Sequence, residues 1–281
     1  MIYKRYFSAI YIVIVTLLLF LFPDVQGFYE NYIKESETDN SIKVMTYNIQ
    51  HGRGMDGEVN IERIAQVILD EGADIVALQE VDVGVERSGR TDIASELSEL
   101  TGLEYNVFGK NLDHQGGDYG NATLSRFPIV EYENIHFEQM GPEKRGILTT
   151  LIEIGEFNLL MLNTHLDHRG DDDSERVLYI QGARDKIIPG YEKDGTIFVG
   201  DMNDVPGSNT YAALADFLTD AWMVSGDGEG LTIPADNPLR RIDYIFYSGL
   251  LSSTLIWVPE TYASDHLPVV SEFELHSNRE H

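Results

Sequence analysis

Residues 198–206, FVGDMNDVP, place two carboxylates and an amide directly after an apolar run. The pattern predicts a buried strand that ends at a polar edge, and Pro206 prevents the strand from continuing. Asp201 and Asn203 are two residues apart, so their side chains share a face if the strand geometry continues. Their oxygens suit Mg²⁺, Mn²⁺ or Ca²⁺. A strand-to-loop junction with turn-forming Asp and Asn explains this stretch alone equally well.

Polar residues also end the other predicted strands. They are Asn48 after MTY, Glu80 after VALQ, His165 after LLMLNT, Asp201 after FVG, Asp243 after RRI, and the pair Asp265 and His266 near the C-terminus. A lone histidine such as His165 is most often a satisfied structural residue. Ligands of α/β sheets, however, gather at strand ends. One convergent site therefore explains these positions better than a series of accidents.

Strands and helices mix over the whole length of the sequence. Strands are predicted over residues 42–49, 74–80, 121–126, 196–199, 241–247, 255–258 and 268–275, and Gly155-Glu156 predicts a hairpin between 147–154 and 157–163. Helices are predicted from the Asn60 N-cap to Gly72 and over residues 92–100, 174–188 and 208–218. This mixture favours an α/β fold in which helices cover sheets with a substantial antiparallel component.

Residues outside the strand ends receive structural interpretations. Ile61, Ile64, Ala65, Ile68 and Leu69 share one face of the first helix, which predicts that this face is buried. Tyr244, Phe246 and Tyr247 are interpreted as core, Glu175 and Arg176 as an exposed pair on their helix, and Arg87 and Arg90 as solvated loop residues. Contact between the two loop arginines and a substrate phosphate is the alternative.

The chain is strongly acidic, with 281 residues, a formal net charge of −27 and no cysteine. Its length suffices for one large α/β domain or two small ones. The charge repels nucleic acid unless a local basic patch or a metal ion intervenes. The lack of cysteine excludes disulfides, thiol catalysis and a cysteine-ligated zinc site.

Residues 1–27 are expected to lie outside the folded domain. Lys4 and Arg5 precede an uncharged apolar run over residues 6–22, which is typical of a signal peptide or an N-terminal membrane anchor. Either interpretation makes the protein secreted or anchored to the outer face of the cytoplasmic membrane. Residues 28–41 are predicted to form a linker, and residues 276–281 a C-terminal tail.

Together, the ordered motifs resemble the metal-dependent endonuclease/exonuclease/phosphatase superfamily. The matching pieces are TYNI (46–49), LQEV (78–81), YGNATLSR (119–126), KRGIL (144–148), NTHLDH (163–168), GDMND (200–204), RIDYIF (241–246) and SDHLPV (264–269). Each is weak alone, but the ordered set is specific. The resemblance implies one domain over residues 42–275, a deoxyribonuclease-like, four-layer sandwich of two sheets flanked by helices.

The resemblance also implies a role for each site residue. Glu80 would be the principal metal carboxylate, with Asn48 and Asp265 as further metal ligands, and Mg²⁺ or Mn²⁺ as the cofactor and Ca²⁺ as a third option. The implied catalytic residues are His165, Asp201, Asn203, Asp243 and His266. Asn121 and Arg145 would bind substrate phosphate, together with His165. Whether Asp201 or the His266–Asp243 pair activates water is left open.

The implied function is hydrolysis of phosphodiesters or phosphomonoesters by metal-assisted attack of water, in an exported protein that is expected to be a monomer. Nucleic acid, a phospholipid headgroup and a small phosphodiester are all candidate substrates. One alternative is a non-catalytic binding module on the same fold, which the retained polar residue of each motif argues against. The other is a Ca²⁺-stabilised surface protein, which leaves His165 and His266 unexplained.

Overall fold

Two six-stranded sheets run through the computed structural model, which describes residues 40–138, 140–169 and 173–276. In chain order the strands are β1 (Ser41–Asn48), β2 (Ile75–Val83), β3 (Tyr105–His114), β4 (Gly117–Ser125), β5 (Ile129–Ile135), β6 (Ile147–Ile154), β7 (Phe157–His165), β8 (Gly195–Asp201), β9 (Thr219–Asp220), β10 (Asp243–Gly249), β11 (Leu251–Trp257) and β12 (Val269–Leu275). The first sheet has the order β11-β12-β1-β2-β4-β3, and the second β5-β6-β7-β8-β10-β9. β1 pairs with β2 and β7 with β8 in parallel, so both sheets are mixed.

Helices accompany both sheets. They are α1 (Ile61–Glu71), α2 (Ile93–Thr101), α3 (Ser174–Gly182), α4 (Asn209–Ala215) and α5 (Ala221–Ser225). The single helix predicted over residues 174–188 is α-helical only to Gly182 and then widens into a π-helical turn, Ala183–Ile187. The Asn60 side chain accepts a hydrogen bond from Arg63 N, and Gly72 ends α1 in the left-handed conformation, which confirms the predicted caps. Leu69 was wrongly assigned to the buried face, because it is 48% exposed.

Neighbouring residues of the central strands face different layers of the fold. In β1, Val44 joins the core between the two sheets, whereas Met45 packs in the core that includes residues of α1 and α2. In β8, Val199 faces the core between the sheets and Phe198 the core that includes residues of α3 and α4. Strand alternation thus sorts apolar side chains into three cores. The fold is the predicted sandwich of two sheets with helices on the outer faces.

The predicted leader, almost all of the predicted linker and the C-terminal tail beyond His276 lie outside the described residues. Within the described residues, no helix is both long and apolar enough to cross a membrane. Tyr244, Phe246 and Tyr247 are buried, as predicted. Four of the labelled elements, β3, β5, β9 and α5, have no counterpart in the sequence prediction.

Candidate active site

Strand register brings three predicted site residues side by side. In the parallel β7–β8 pair, His165 lies opposite Asp201. In the antiparallel β10–β8 pair, Asp243 also lies opposite Asp201. Gly200 has φ +136, and a side chain there would place its Cβ 1.8 Å from the Thr164 carbonyl oxygen. Only glycine therefore permits this close approach of the two strands just before Asp201.

Asp201 lies at the centre of the polar cluster. Its Oδ2 accepts a hydrogen bond from Asn48 Nδ2 at 3.1 Å and lies 3.6 Å from Nε2 of His165 and 3.8 Å from Nε2 of His266. Its Oδ1 accepts a hydrogen bond from the backbone N–H of Asn203 at 2.9 Å. Burial, and then the neighbouring Asp243 carboxylate, raises the pKa of Asp201 above its ordinary value. Asp201 is thus a carboxylate that holds its negative charge at a cost and gains from nearby positive charge.

The sequence predicted that Glu80 ends its strand. In the structure it projects instead from a bulge within β2. The β2–β4 register shifts between Leu78 and Val81, and Glu80 has φ 58. A left-handed conformation costs a non-glycine residue about 1–2 kcal/mol, and bulges re-aim side chains next to active sites. The Glu80 Oε1 accepts a hydrogen bond from Asn48 Nδ2 at 3.1 Å. The Asn48 amide therefore bridges the carboxylates of Glu80 and Asp201.

His266 is oriented by Asp243, as the resemblance implied. His266 Nδ1 lies 2.9 Å from Asp243 Oδ2, which also accepts a hydrogen bond from the Thr232 hydroxyl at 2.6 Å. Burial alone would lower the pKa of His266, but the carboxylates of Asp243 and Asp201 outweigh that effect and raise it. The ring is thus a cation at neutral pH, with Nε2 on the side of Asp201.

Asn203 does not continue the strand geometry assumed from the sequence, because β8 ends at Asp201 and Asn203 has φ 51. Its side-chain Nδ2 donates to the Leu166 carbonyl at 3.0 Å, which ties the loop after β8 to the loop after β7. Asp265 accepts a hydrogen bond from Gln50 Nε2 at 2.8 Å. Gln50 also donates its backbone N–H to Asn48 Oδ1. Asp265 thus shares one hydrogen-bonded network with Asn48.

Arg145 is almost completely buried and points toward the histidines. Its Nη2 lies 2.9 Å from Glu143 Oε2 and 3.2 Å from His168 Nδ1. Its Nε is buried and has no hydrogen-bond partner among the described residues. Burial, and then the Arg145 charge, holds the pKa of His165 well below its ordinary value, so this imidazole is neutral at neutral pH.

Asn121 is placed differently from the other predicted phosphate ligand. It is buried in β4, and its Nδ2 donates to the carbonyls of Gly146 and Asn163 at 3.4 and 3.5 Å. Its Oδ1 has no partner among the described residues. A role for Asn121 in phosphate binding stays a prediction.

The cluster opens into a cleft of about 300 Å³. Its lining residues are Glu80, Arg87, Leu112, His114, Tyr119, Glu143, Arg145, His165, His168, Asp201, Asn203 and His266. Six of the ten predicted site residues are in this set, whereas Asn48, Asn121, Asp243 and Asp265 support it from behind or beside. Tyr119 and His168 stood inside quoted motifs without a role. Arg87 was interpreted as solvated, and His114 carried no sequence signal.

The donor chemistry of the cleft fits a divalent cation. The Glu80 carboxylate has no ion pair with a described lysine or arginine, and burial raises its pKa. Ligand atoms of Asp201, Asp243 and His266 lie within 4.8 Å of one another. Converging, poorly compensated carboxylates are ligands that Mg²⁺ and Mn²⁺ prefer.

A buried amide pair joins the two sheets behind the site. Gln79 Nε2 donates to Asn163 Oδ1 at 2.8 Å, and Asn163 Nδ2 donates to the carbonyls of Leu78 and Ala122. Both amides stand in quoted motifs, but neither had an assigned role. A fully paired buried amide network fixes geometry, because breaking it leaves unsatisfied groups. The pair therefore holds β2 and β7, which carry Glu80 and His165, in one relative position.

The interpretation of Glu175 and Arg176 as exposed was wrong, since both are 2% exposed. Arg176 Nη1 donates to the carbonyls of Asp167 and Arg169, and its Nη2 lies 3.2 Å from Asp204 Oδ2. Helical periodicity did not reveal the burial of Arg176. Charged residues are rarely buried unless they are paired, and the pattern of the helix does not show the partners. Arg176 thus connects the loop that follows His165 to the loop that follows Asp201.

Comparison with known proteins agrees with this geometry. The model of the endonuclease/exonuclease/phosphatase family matches residues 45–266. The uncharacterised protein YbhP of Escherichia coli (strain K12) is 26% identical over 247 residues, covering 84% of this chain and 97% of YbhP. The 5'-tyrosyl-DNA phosphodiesterase of Caenorhabditis elegans is 28% identical over 229 residues, covering 75% of this chain and 58% of that protein.

Solved structures share the fold. An endonuclease/exonuclease/phosphatase from Beutenbergia cavernae has 25% identity and a TM-score of 0.67, covering 84% of this chain and 72% of that chain. A mannosyl-6-phosphatase of Bacteroides thetaiotaomicron has 19% identity and a TM-score of 0.68, covering 83% and 99%. Since the family model spans most of the sequence, the chain belongs to the endonuclease/exonuclease/phosphatase family.

Proposed function

We propose that the protein is a divalent-metal-dependent hydrolase of phosphate esters. One observation carries the proposal: Glu80 and Asp201 share a single cleft with His165, His266 and Arg145. Carboxylates beside groups that donate hydrogen bonds to phosphate are the combination that metal-assisted phosphoryl chemistry requires. Family membership and two similar proteins whose names denote a phosphodiesterase and a phosphatase support it.

Glu80, Asn48 and Asp265 are the residues that would hold the cation. Their oxygens are hard donors, and Glu80 and Asp201 are bridged through the Asn48 amide. A bound Mg²⁺ or Mn²⁺ would offset negative charge that builds on the phosphate oxygens during hydrolysis. Because such ions keep several waters and use few protein carboxylates, Asp201 is free for another role.

Asp201 is proposed to take the proton from the attacking water. It is buried, its raised pKa makes it a stronger base than an ordinary carboxylate, and Asn203 fixes one of its oxygens. His266, held as a cation by Asp243, is proposed to donate its Nε2 hydrogen to a phosphate or leaving-group oxygen. The two roles follow from position. Asp201 lies at the centre of the polar cluster, whereas His266 has Nδ1 paired with Asp243 and presents only Nε2 to the cleft.

Arg145 and His165 are proposed to bind the non-bridging phosphate oxygens. The buried Nε of Arg145 has no partner among the described residues, so a ligand oxygen in the cleft would satisfy it. Neutral His165 offers Nε2 at 3.6 Å from Asp201 Oδ2 and close to the same space. Fixed donors of this kind stabilise charge that develops in the transition state.

A small phosphate ester suits the cleft better than a nucleic acid strand does. A cleft of about 300 Å³ accommodates a small ligand, and a net charge of −27 disfavours a polyanion. The C. elegans relative, named for a tyrosyl-DNA substrate, keeps a DNA adduct as the second candidate.

Export is part of the proposal. Lys4, Arg5 and the apolar run over residues 6–22 support a secretory signal or an anchor. A reporter that is active only in the cytoplasm, fused after Leu275, should be inactive. An active fusion would place the domain in the cytoplasm and contradict export.

The function is tested with the purified full-length protein and Mg²⁺ or Mn²⁺. The panel contains p-nitrophenyl phosphate, bis(p-nitrophenyl) phosphate, hexose phosphates, a phospholipid, DNA and a 5'-phosphotyrosyl oligonucleotide. We expect hydrolysis of at least one small ester, with a large loss in His165→Ala and little change in the exposed control His276→Ala. Equal turnover by the wild type and His165→Ala would place the activity elsewhere.

A further inference from the structure

Arg87, His114 and Tyr119 line the cleft but have no part in the proposed hydrolysis; we call these three residues the donor wall. They form one contiguous group. The Arg87 guanidinium carbon lies 5.5 Å from the centroid of the Tyr119 ring, and the ring centroids of His114 and Tyr119 are 6.3 Å apart. Tyr119 is thus the platform that both basic side chains contact.

Arg87 is held rigidly with one edge free. Its Nε and Nη2 donate to the two carboxylate oxygens of Asp82, each at 2.9 Å, and Asp82 is completely buried. Asp82 follows Glu80 by two residues on β2, so the same strand positions both groups. Nη1 of Arg87 has no hydrogen-bond partner among the described residues. A guanidinium fixed in this way loses little freedom when it binds a ligand oxygen.

His114 and Tyr119 also present unused polar atoms. His114 ends β3 and Tyr119 lies on β4, on either side of the tight turn between these strands. His114 Nε2 is buried and has no partner in the described part of the chain, and the structure gives the Tyr119 hydroxyl none there either. Buried polar atoms are normally satisfied, so the unpaired His114 Nε2 points to a ligand or water in the cleft.

The charge of the cleft differs from that of the rest of the protein. Against a net charge of −27, the lining contains two arginines and the cationic His266 beside only three acids. Two of those acids, Glu80 and Asp201, belong to the proposed metal and water-activating groups, and Glu143 pairs with Arg145. No acid of the lining is therefore left to pair with Arg87 Nη1 and His114.

We propose that the donor wall binds a second anionic group of the substrate, a carboxylate or a further phosphate on its alcohol part. Oxyanions accept strong, charge-assisted hydrogen bonds from a guanidinium edge and an imidazole. The preferred substrates are then small phosphate esters that carry a second negative charge. This inference rests on the proposed hydrolase function and narrows its class of substrate.

Non-hydrolysable phosphonates test this without any turnover. Binding of 3-phosphonopropionate, propylphosphonate and 3-hydroxypropylphosphonate to the full-length protein with Mg²⁺ is measured by titration calorimetry. The three ligands share the phosphonate and differ in a terminal carboxylate, methyl or hydroxyl group. We expect the carboxylate ligand to bind at least about tenfold more tightly than the other two, as one added charge-assisted contact predicts.

Variants assign the preference to the donor wall. His114→Gln removes the imidazole, and Arg87→Lys keeps the charge beside buried Asp82 but loses the fixed fork. In both variants, the ratio of the affinities for the carboxylate and methyl ligands should fall close to one. The matched control is Arg90→Lys, because Arg90 lies beyond Gly89 in the same loop and is 61% exposed; its ratio should equal that of the wild type.

Three results overturn the inference: equal affinity for the carboxylate and methyl ligands, equal affinity for the carboxylate and hydroxyl ligands, or a ratio unchanged in both donor-wall variants. Failure of the proposed function is separate. A protein that hydrolyses none of the esters but shows the expected ratio retains the anion subsite and loses the hydrolase assignment. A protein that hydrolyses esters without the expected ratio loses only the subsite.

Discussion

His266 Nδ1 and Asp243 Oδ2 lie 2.9 Å apart, and the same carboxylate oxygen accepts a hydrogen bond from the Thr232 hydroxyl at 2.6 Å. The imidazole is therefore held by a carboxylate that is itself held. Such an arrangement fixes the tautomer and the orientation of the ring. It leaves Nε2 of His266 as the ring nitrogen on the side of Asp201.

The first prediction is that His266 and Asp243 act as one unit. His266→Ala should lower kcat on the order of 10²–10³-fold, as loss of a transition-state contact does. Asp243→Asn should also lower kcat, because it removes the group that orients the ring. The double variant should be little worse than His266→Ala.

The control for the histidine change is His276→Ala, which alters an exposed histidine directly after the end of β12. Turnover and Tm are measured for every variant. A purely structural pair would lower Tm and leave kcat near the wild-type value in the folded protein, and that outcome would remove His266 from the mechanism.

The second prediction concerns Glu80 in the presence and absence of a divalent cation. Burial raises the pKa of Glu80, so replacing the carboxylate with an amide should raise Tm in EDTA or leave it unchanged. The same Glu80→Gln change should reduce the rise in Tm that Mg²⁺ or Mn²⁺ produces, because the ion stabilises only through binding.

Thermal unfolding of the wild type and Glu80→Gln, with and without the ion, measures both effects. Glu153→Gln is the control, since Glu153 is exposed on β6. An ion-induced rise in Tm that is as large in Glu80→Gln as in the wild type would exclude Glu80 as a ligand.

The sequence predicted which residues come together better than the way they are held. Asp201 and Asp243 stood at strand ends, and the register of β8 with β10 places them opposite each other. Glu80, by contrast, does not end its strand. It lies on a bulge with φ 58, and the strand continues to Val83. A bulge has no reliable signature in one sequence, since any residue pair in a strand can form it.

The sequence prediction also missed the burial of Arg176 and the edge strand β5. Arg176 carries a charge that helical periodicity assigns to the surface, and only its partners in the loops after β7 and β8 make burial favourable. Strand β5, with exposed Glu131 and Tyr132 at the edge of its sheet, lacks the alternation that identifies a strand. Both features depend on tertiary contacts that the local sequence pattern does not reveal.

The third prediction tests the Arg176 connection. Arg176→Met should lower the free energy of unfolding by about 3–5 kcal/mol, because it removes the cation that pairs with the Asp204 carboxylate and the donor to two carbonyls. The matched control is Arg184→Met, whose exposed pair with Asp185 should contribute little to stability. Urea unfolding measures both, and equal effects would show that burial of the Arg176 pair contributes nothing special.

The fourth prediction is a pH dependence that comes from His51. Burial, and then the Arg87 charge, lowers the pKa of His51 from 6.5 to about 4. Between these values the unfolded chain binds a proton that the folded chain does not, so the His51 contribution to stability falls as the pH falls. His51→Asn removes this contribution, and asparagine tolerates the left-handed backbone found there, φ 49.

The difference in free energy of unfolding between the wild type and His51→Asn should therefore be constant above about pH 7.5. As the pH is lowered toward about 5, the wild type should lose stability relative to His51→Asn. Comparing this difference cancels the titration of the other buried groups. The difference for the exposed His276→Asn should change little, and parallel pH curves for the wild type and His51→Asn would contradict the low pKa of His51.

The fifth prediction, and the most direct test of the account, is metal-dependent ester hydrolysis by the wild-type protein. The full-length protein is stripped with a chelator, desalted, and assayed with the best small phosphate ester before and after addition of Mg²⁺ or Mn²⁺. The converging carboxylates of Glu80 and Asp201 require a cation for chemistry on phosphate. We therefore expect no turnover without the ion and full recovery with it, and full turnover by the stripped protein would contradict the proposed function.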